Sequence, residues 1–201
     1  SDEPSIKPQL WNDHITREEL IKAIKRHKLG KSPGLDGIPT ECLKYGGDLL
    51  LDTLLKLFKA MWNTQMTPDA WQIALIKLIH KKGETTLIKN YRPISLLLSL
   101  FKTWERVLET RLRDQIETSG KLANTQLGSR AELSTIQAML ATRMIVQHNK
   151  GRYGPIYLAH IDLSKAYNRV NLDRLWHKLE KYGINGALLE CIKSTYSAQT
   201  E

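Results

Sequence analysis

Apolar side chains recur every three to four residues along several stretches of the chain, which is the spacing of amphipathic helices. The broadest apolar face runs from Leu50 to Trp62, and a second long one runs from Leu97 to Ile116. The pattern predicts helices over residues 17–29, 49–64, 97–116, 135–149 and 172–182, and a last helix from residue 187. A largely helical molecule with a shared apolar core is therefore expected.

The first of these helices has its own start and stop signals. Thr16, with Glu19 three residues later, matches a capping box, and Ile15 and Leu20 occupy the two staple positions. Gly30 is placed to end the helix. The basic side chains on its outer face are Lys22, Lys25, Arg26 and Lys28. Such a face is either simply solvated or a contact for an anionic partner.

Shorter stretches alternate between apolar and polar residues, as β-strands do. Residues 73–80 predict a strand, and Lys81, Lys82 and Gly83 turn the chain out of it. The stretch from Gly83 to Ile94, which contains NYRPIS and Arg92, predicts a surface loop with a proline-bounded strand. Helices with a few short strands favour an α+β fold.

A further alternating stretch, residues 153–161, leads to Asp162. By the alternation, Asp162 shares a face with Leu158 and His160, at the point where the strand gives way to a turn. A carboxylate that is held by a strand and still reaches solvent suits a Mg²⁺ ligand. An equally simple interpretation is that Asp162 caps the turn that follows.

The charge of the chain points to a class of partner. Lys and Arg number 30 against 21 Asp and Glu, which gives a net charge of +9 and a pI of about 9.5. Such an excess favours polyanionic partners, because each neutralised phosphate releases condensed counterions. The charge alone does not choose among DNA, RNA and an acidic protein.

The remaining composition is that of a globular protein, with 41% hydrophobic and 25% charged residues. No apolar run approaches the length of a membrane span. Cys42 and Cys191 are far apart in sequence, so neither a disulfide framework nor a zinc site is indicated. An intracellular protein of the nucleus or cytoplasm, without a membrane partner, is expected.

Two further stretches have residues that suit phosphate binding. Residues 31–39, KSPGLDGIP, must form a shaped loop whose exposed amide groups could meet phosphates. Arg92 could converge with Lys81 or Lys82 on a triphosphate, since guanidinium and ammonium groups bind polyphosphate well. The sequence leaves open which lysine assists Arg92.

Several stretches resemble the reverse transcriptases of non-LTR (LINE-type) retrotransposons, and they occur in the order of that family. IDLSKAYNRVN, over residues 161–171, resembles the first catalytic motif. KSPGLDGIPTECLK resembles the segment ahead of the fingers, IKLIHKKG with NYRPISLL resembles the two fingers motifs, and NTQLGSR resembles a Gln-x-Gly-Phe-Arg element. The resemblance begins near residue 16 and covers nearly all of the chain after it.

This resemblance implies a role for each matching residue. Asp162 would be the palm aspartate that binds two metal ions, Mg²⁺ or Mn²⁺, assisted by the Leu163 carbonyl. Tyr167 would screen the sugar of the incoming dNTP, and Arg92 with a neighbouring lysine would bind its triphosphate. The residues expected to contact the RNA template and DNA primer, from the basic first helix and the matching loops, are Lys25, Arg26, Lys31, Gly34, Gly37, Gln126 and Arg130.

The chain also departs from the family pattern. Asn168 stands where the family usually has an aspartate, and Ser129 stands where it has a phenylalanine. The family needs an aromatic-x-Asp-Asp hairpin downstream, whereas the acids after Asp162 are isolated: Asp173, Glu180, Glu190 and Glu201. Because two metal ions need several carboxylates, the chain alone is expected to be inactive and to hold no metal stably.

The sequence thus predicts a helix-rich α+β fold, made of reverse-transcriptase fingers with a small antiparallel sheet and the start of a palm sheet. Residues 1–15 are expected to be an irregular lead-in, 16–150 the fingers with a template-side extension, and 151–201 an incomplete first palm segment. The predicted function is the template- and nucleotide-binding part of an RNA-directed DNA polymerase. The alternatives are a non-catalytic RNA- or DNA-binding module derived from such an enzyme, and a bare interaction domain.

Overall fold

The computed structural model describes residues 10–130, 132–152, 154–163 and 166–196. Within these ranges the structure is helix-rich, with one two-stranded antiparallel sheet, as the α+β prediction requires. The elements are α1 (Arg17–Lys25), α2 (Thr40–Tyr45), α3 (Gly47–Thr64), β1 (Leu75–His80), β2 (Tyr91–Leu96), α4 (Ser99–Thr118), α5 (Thr135–Asn149), α6 (Leu172–Lys181) and α7 (Gly186–Ser194). The division into lead-in, fingers and palm segment stays a prediction.

The start of α1 is as the sequence predicted. The Glu19 backbone N–H donates to Thr16 Oγ1 at 3.2 Å, and the Thr16 N–H donates to Glu19 Oε2 at 2.9 Å. Its end differs, because α1 stops at Lys25 rather than near residue 29. The His27 N–H donates to the Ile24 carbonyl at 3.1 Å, a tightened last turn, and the His27 side chain points into the protein.

The core lies where α1, α3, α4 and α7 meet. Phe58 of α3 and Trp104 of α4 are fully buried and pack edge to face, with ring centroids 5.2 Å apart. Leu20 of α1 and Leu188 of α7 are also fully buried. Each of these residues belongs to the apolar stripe of its helix, so the predicted faces do build one shared core.

Arg111 of α4 joins this core to the residues before α1. Its guanidinium binds the Glu19 carboxylate through Nε at 2.6 Å and Nη2 at 2.8 Å. The same group donates to the carbonyls of Trp11, Asp13 and His14 at 2.7 to 3.1 Å, and it lies 4.5 Å from the centre of the Trp62 ring. All five N–H donors of the guanidinium are thereby used. Only 6% of the residue is exposed, so these donors have protein partners in place of water.

β1 and β2 form a hairpin whose register pairs Leu75 with Leu96 and His80 with Tyr91. The ladder continues one step farther, since the Lys81 N–H donates to the Asn90 carbonyl at 2.8 Å. Every side chain of β1 is exposed. The proline-bounded strand predicted within NYRPIS is confirmed, because residues 91–95 belong to β2 and follow an exposed connection.

The strand predicted over residues 153–161 was wrong. Residues 154–163 form neither a helix nor a strand, and Tyr153 lies outside the described residues. A strand is stable only when it pairs with a neighbour. The two strands that the structure describes pair with each other, so the expected start of a palm sheet has no partner among them.

Helix α5 occupies the predicted position, and none of its described side chains is buried. The exposed apolar side chains along it are Ile136, Met139, Leu140, Met144 and Ile145. Across the described ranges, no helix has the length and apolar character needed to cross a membrane.

Candidate nucleotide and nucleic-acid interface

The lysine and arginine side chains of the hairpin ladder lie on one of its two faces. Successive side chains of a strand alternate between faces, and the register places Arg92 directly opposite Ile79 and Lys77 opposite Ile94. Lys77, Lys81 and Arg92 therefore share one face, which we call the basic face. The opposite face has the ring pair His80 and Tyr91, whose ring centroids are 5.2 Å apart. Every lysine and arginine of the ladder thus lies on the basic face.

The connection between the strands is held in one conformation by hydrogen bonds. The Asn90 side-chain amide donates to the Glu84 carbonyl at 2.8 Å, and the Tyr91 hydroxyl donates to the Thr85 carbonyl at 2.9 Å. His80 Nε2 lies 3.0 Å from the Gly83 carbonyl, to which it can donate. A fixed tip keeps the positions of the flanking cations defined, which lowers the entropy lost when they bind an anion.

Arg92 has the properties expected of an anion-binding residue. It is exposed, and among the described residues its guanidinium has no ion-pair partner. The register also favours one of the two candidate lysines, because Lys81 continues the ladder on the face of Arg92, whereas Lys82 lies beyond it in the turn. Lys77 was not singled out from the sequence. Its signal was present there, since it precedes Lys81 by four residues in an alternating strand.

The glycine-rich loop, residues 31–39, is packed against the start of α4. A Cβ on Gly34 would come 2.7 Å from the Leu98 backbone nitrogen and 2.8 Å from the Leu97 carbonyl carbon. The Ser99 hydroxyl donates to the Ile38 carbonyl at 2.8 Å, which fixes the far side of the loop. Gly34 thus has a packing role that the sequence did not reveal, beside the nucleic-acid contact predicted for it.

The rest of this loop faces solvent. Gly37 is exposed and adopts a left-handed φ of 67°, a conformation that favours glycine. Lys31 and Lys25 are also exposed. Arg26 differs, because its Nη1 donates to Glu109 Oε2 at 2.9 Å and to the Thr110 hydroxyl at 3.1 Å. Lys25 and Lys31 are therefore freer than Arg26 to meet a phosphate.

Cations surround the buried end of α1. The His27 side chain is 4% exposed, and its Nε2 lies 2.8 Å from the Thr103 hydroxyl. Thr103 donates its only hydroxyl proton to the Ser99 carbonyl at 2.8 Å, so Nε2 donates to Thr103. Burial, together with the nearby charges of Arg106, Lys102 and Lys44, lowers the pKa of His27 to about 4. Arg106, Lys102 and Lys44 thus add positive charges near His27 to those of α1.

The loop that contains Gln126 and Arg130 is fastened to the end of α4. Arg130 binds the Glu117 carboxylate through Nε at 3.0 Å and Nη2 at 2.7 Å, and its Nη1 donates to the Ala123 carbonyl at 3.3 Å. The hydrogen bond from Arg130, although partly opposed by desolvation, lowers the pKa of Glu117. Gln126 is exposed. The nucleic-acid role predicted for these two residues stays a prediction, and Arg130 has a structural role besides.

Asp162, Leu163 and Tyr167 all face solvent. Tyr167 begins a short 3₁₀ helix, Tyr167–Arg169, and is 91% exposed, so it is not a core aromatic in this structure. Residues 164 and 165 and the side chain of Asn168 lie outside the described part of the chain. Within that part, the Asp162 carboxylate forms no ion pair.

The described residues do not by themselves fit a two-metal centre. Residues 10–130, 132–152, 154–163 and 166–196 contain no group of three or more His, Cys, Asp or Glu side chains placed to hold a metal ion. At the predicted site they supply one carboxylate, Asp162, whereas a two-metal site needs several.

Within the described residues the chain is thus a basic, helix-rich α+β protein with a glycine-rich loop and a two-stranded hairpin. The sequence profile described as "Reverse transcriptase (RNA-dependent DNA polymerase)" matches residues 79–201, which is more than half of the chain. The chain belongs to the reverse transcriptase family, and members of that family generally use divalent metal ions.

Similar proteins indicate which kind of reverse transcriptase this chain resembles. The chain is 35% identical over 186 residues to the "Probable RNA-directed DNA polymerase from transposon BS" of Drosophila melanogaster, covering 88% of this chain and 20% of that protein. It is 30% identical over 167 residues to the "RNA-directed DNA polymerase from mobile element jockey" of the same species, covering 81% of this chain and 17% of that protein. The resemblance to LINE-type reverse transcriptases is confirmed. The chain spans about a fifth of the length of these relatives.

Proposed function

We propose that this chain is the template- and nucleotide-binding part of an RNA-directed DNA polymerase, which extends a DNA primer along an RNA template. The observation that carries the proposal is the hairpin, which sets Arg92 and Lys81 on one exposed face. Family membership supplies the reaction class, and the hairpin supplies a place for the triphosphate of the incoming dNTP.

The side chains divide the work between nucleotide and template. Arg92 and Lys81 bind the triphosphate, since a guanidinium and an ammonium together match its oxygens and its charge. Tyr167 packs beneath the sugar and excludes a 2′-hydroxyl by its bulk. Lys25, Lys31 and the exposed part of the glycine-rich loop bind the template backbone, with Arg26, Gln126 and Arg130 in supporting positions.

The proposal extends to a metal and a compartment. Asp162 would be one ligand of a divalent cation, Mg²⁺ or Mn²⁺, the Leu163 carbonyl would assist it, and further carboxylates would be needed to complete the site. When bound, the metal neutralises charge on the reacting phosphates. Action on nucleic acid places the protein inside the cell, in the nucleus or cytoplasm.

Primer extension on an RNA template, by a complete polymerase that contains this chain, tests the proposal. Asp162→Asn should abolish extension. Arg92→Ala should raise the KM for dNTP while sparing template affinity, with a loss of about 1.5–3 kcal/mol, the scale of a charged hydrogen bond. Lys81→Ala should show the same pattern more strongly than Lys82→Ala. Collapse of template binding with an unchanged KM for dNTP would contradict the triphosphate assignment.

Tyr167 gives an independent readout of the same site. Tyr167→Val should raise ribonucleotide incorporation, because it removes the overpacking that costs a bound 2′-hydroxyl about 1–3 kcal/mol. The variant should spare much of the deoxynucleotide rate. Tyr167→Phe keeps the ring and should change little. Parallel loss of both activities in Tyr167→Val would argue against a sugar-screening role.

A second function, a non-catalytic RNA- or DNA-binding module, is favoured by the departures at Ser129 and Asn168. The same experiment separates the two functions. An intact polymerase that binds primer and template but extends no primer under any divalent metal would support the binding module.

A further inference from the structure

Lys77 shares the basic face of the hairpin with Arg92 and Lys81. Lys77 pairs with Ile94, and Arg92 pairs with Ile79, so Arg92 is the diagonal neighbour of Lys77 across the ladder. Arg92 is likewise the diagonal neighbour of Lys81, which lies opposite Asn90. Diagonal neighbours have Cα atoms about 7–8 Å apart, within reach of long side chains. Arg92 therefore stands between two lysines.

The separation of charge argues that this arrangement serves a ligand. Like charges on neighbouring strands repel each other, and an exposed strand has a second face on which a lysine would avoid the other cations. Here that second face has no lysine, arginine or carboxylate in the ladder, and its members are Ile76, Leu78, His80, Tyr91, Pro93 and Ser95. No carboxylate is paired with any of the three cations within the described ranges. Their mutual repulsion is relieved when an anion binds.

We infer that Lys77 is a third cation of the polyphosphate site, which binds the same triphosphate as Arg92 and Lys81. The inference deepens the proposed function and rests on it. A chain of phosphates offers negative oxygens along its length, so cations arranged along a strand can each bind one part of it. Lys77, at the far end of the row from the hairpin tip, then sets how far along the strand the polyphosphate reaches.

The test uses the 201-residue chain, with inorganic tripolyphosphate as the probe and titration calorimetry at low salt as the measurement. Lys77→Ala and Lys77→Gln should each weaken binding by about 1.5- to fivefold, the range of one exposed charge pair. Lys77→Arg should restore most of the affinity because it restores the charge. Lys89→Ala is the matched control, since Lys89 is an exposed lysine of the same hairpin connection, and it should leave the affinity unchanged.

The outcomes separate this inference from the proposed function. If Arg92→Ala weakens tripolyphosphate binding but Lys77→Ala matches the Lys89→Ala control, the inference is overturned and the triphosphate site stands. If the wild-type chain fails to bind tripolyphosphate, or Arg92→Ala has no effect, both are overturned. If Lys77→Ala weakens binding of a single-stranded oligonucleotide and not of tripolyphosphate, Lys77 contacts template backbone and the inference is again overturned. Thermal unfolding of each variant confirms that the chain remains folded.

Discussion

Arg111 shows how much one side chain can organise in this protein. It ties the carboxylate of Glu19 and three backbone carbonyls to α4 at once. Desolvation alone would raise the pKa of Glu19. The hydrogen bonds from Arg111 and Thr16 outweigh this effect, and the pKa of Glu19 is lowered. A helical amphipathic pattern assigns a charged residue to the solvent side, so this buried arginine could not be found from periodicity.

Replacing Arg111 should therefore be costly. Arg111→Met keeps most of the volume and leaves the Glu19 carboxylate and the three carbonyls without their donor, and the expected loss in the free energy of unfolding is about 3 kcal/mol. Urea denaturation measures it. Arg113→Met is the matched control on the same helix, because within the described residues Arg113 has a single ion pair, the half-exposed one with Glu109, and its loss should cost less than about 1 kcal/mol. Equal losses in both variants would show that the buried network has no special weight.

His27 should make stability depend on pH. Its pKa is lowered to about 4 in the folded protein, first by burial and then by Arg106, Lys102 and Lys44, against about 6.5 in an unfolded chain. The unfolded state therefore binds the extra proton below about pH 6.5, and stability should fall as the pH decreases toward 4.

Between pH 7 and 5 the expected loss attributable to His27 is at most about 2 kcal/mol. In this window the carboxylates with lowered pKa values, such as Glu19, are still ionised. Chemical denaturation at several pH values should show the decline, and His27→Gln should flatten it. An identical slope in His27→Gln would assign the pH dependence to other groups.

At the scale of an element, the glycine-rich loop depends on its contact with α4. Gly34→Ala should force the loop away from Leu97 and Leu98, because backbone atoms at 2.7 to 2.8 Å leave no room for a Cβ. The expected cost is about 1–3 kcal/mol in unfolding, together with weaker nucleic-acid binding.

Gly128→Ala is the control for this change. A Cβ there would meet only a side-chain nitrogen of Gln126 at 3.8 Å, so its effect should stay within about 0.5 kcal/mol. Unfolding curves and an RNA-binding titration of both variants provide the comparison. Unchanged stability in Gly34→Ala would mean that the loop can move aside freely.

Elements differ in how far the sequence determines them. The capping box of α1 and the long apolar faces of α3 and α4 are local signals, and each produced the predicted helix. Residues 153–161 alternate as well as β1 does, yet only β1 has a pairing strand within the described chain. Sheet formation depends on a distant partner, and alternation within one segment contains no information about that partner.

The candidate site divides in the same way. Arg92 was a candidate from its sequence context alone, whereas a preference for Lys81 over Lys82 and the position of Lys77 required the register of the hairpin. The packing role of Gly34 depends on α4, which follows it by more than 60 residues. The sequence therefore supplied candidate residues, whose roles stay predictions, and the structure supplied the geometry between segments.

For the whole molecule, the net charge of +9 should produce salt-dependent binding of nucleic acid. The logarithm of the affinity should fall linearly with the logarithm of the salt concentration. Lys25→Ala and Lys31→Ala should each reduce the slope by about one phosphate contact. Arg26→Ala should reduce it less, because Arg26 is already bound to Glu109.

Fluorescence anisotropy of a labelled single-stranded RNA at several salt concentrations measures these slopes. Lys56→Ala, an exposed lysine of α3 outside the proposed interface, is the control and should keep the wild-type slope. If all four variants kept the wild-type slope, the lysines and arginine on the outer side of α1 would be solvated surface with no role in binding.

The contacts of Arg111 also determine how far the N-terminus can be truncated in a recombinant version of this protein. Its donors hold the carbonyls of Trp11, Asp13 and His14, and the Asn12 side chain accepts a hydrogen bond from the Leu188 N–H of α7 at 3.2 Å. A recombinant version trimmed to begin at residue 16, just before the first helix, would lack all four contacts. Such a version should be digested by trypsin faster than one that begins at residue 10. Expression boundaries chosen from helix limits alone would remove contacts that stabilise the fold.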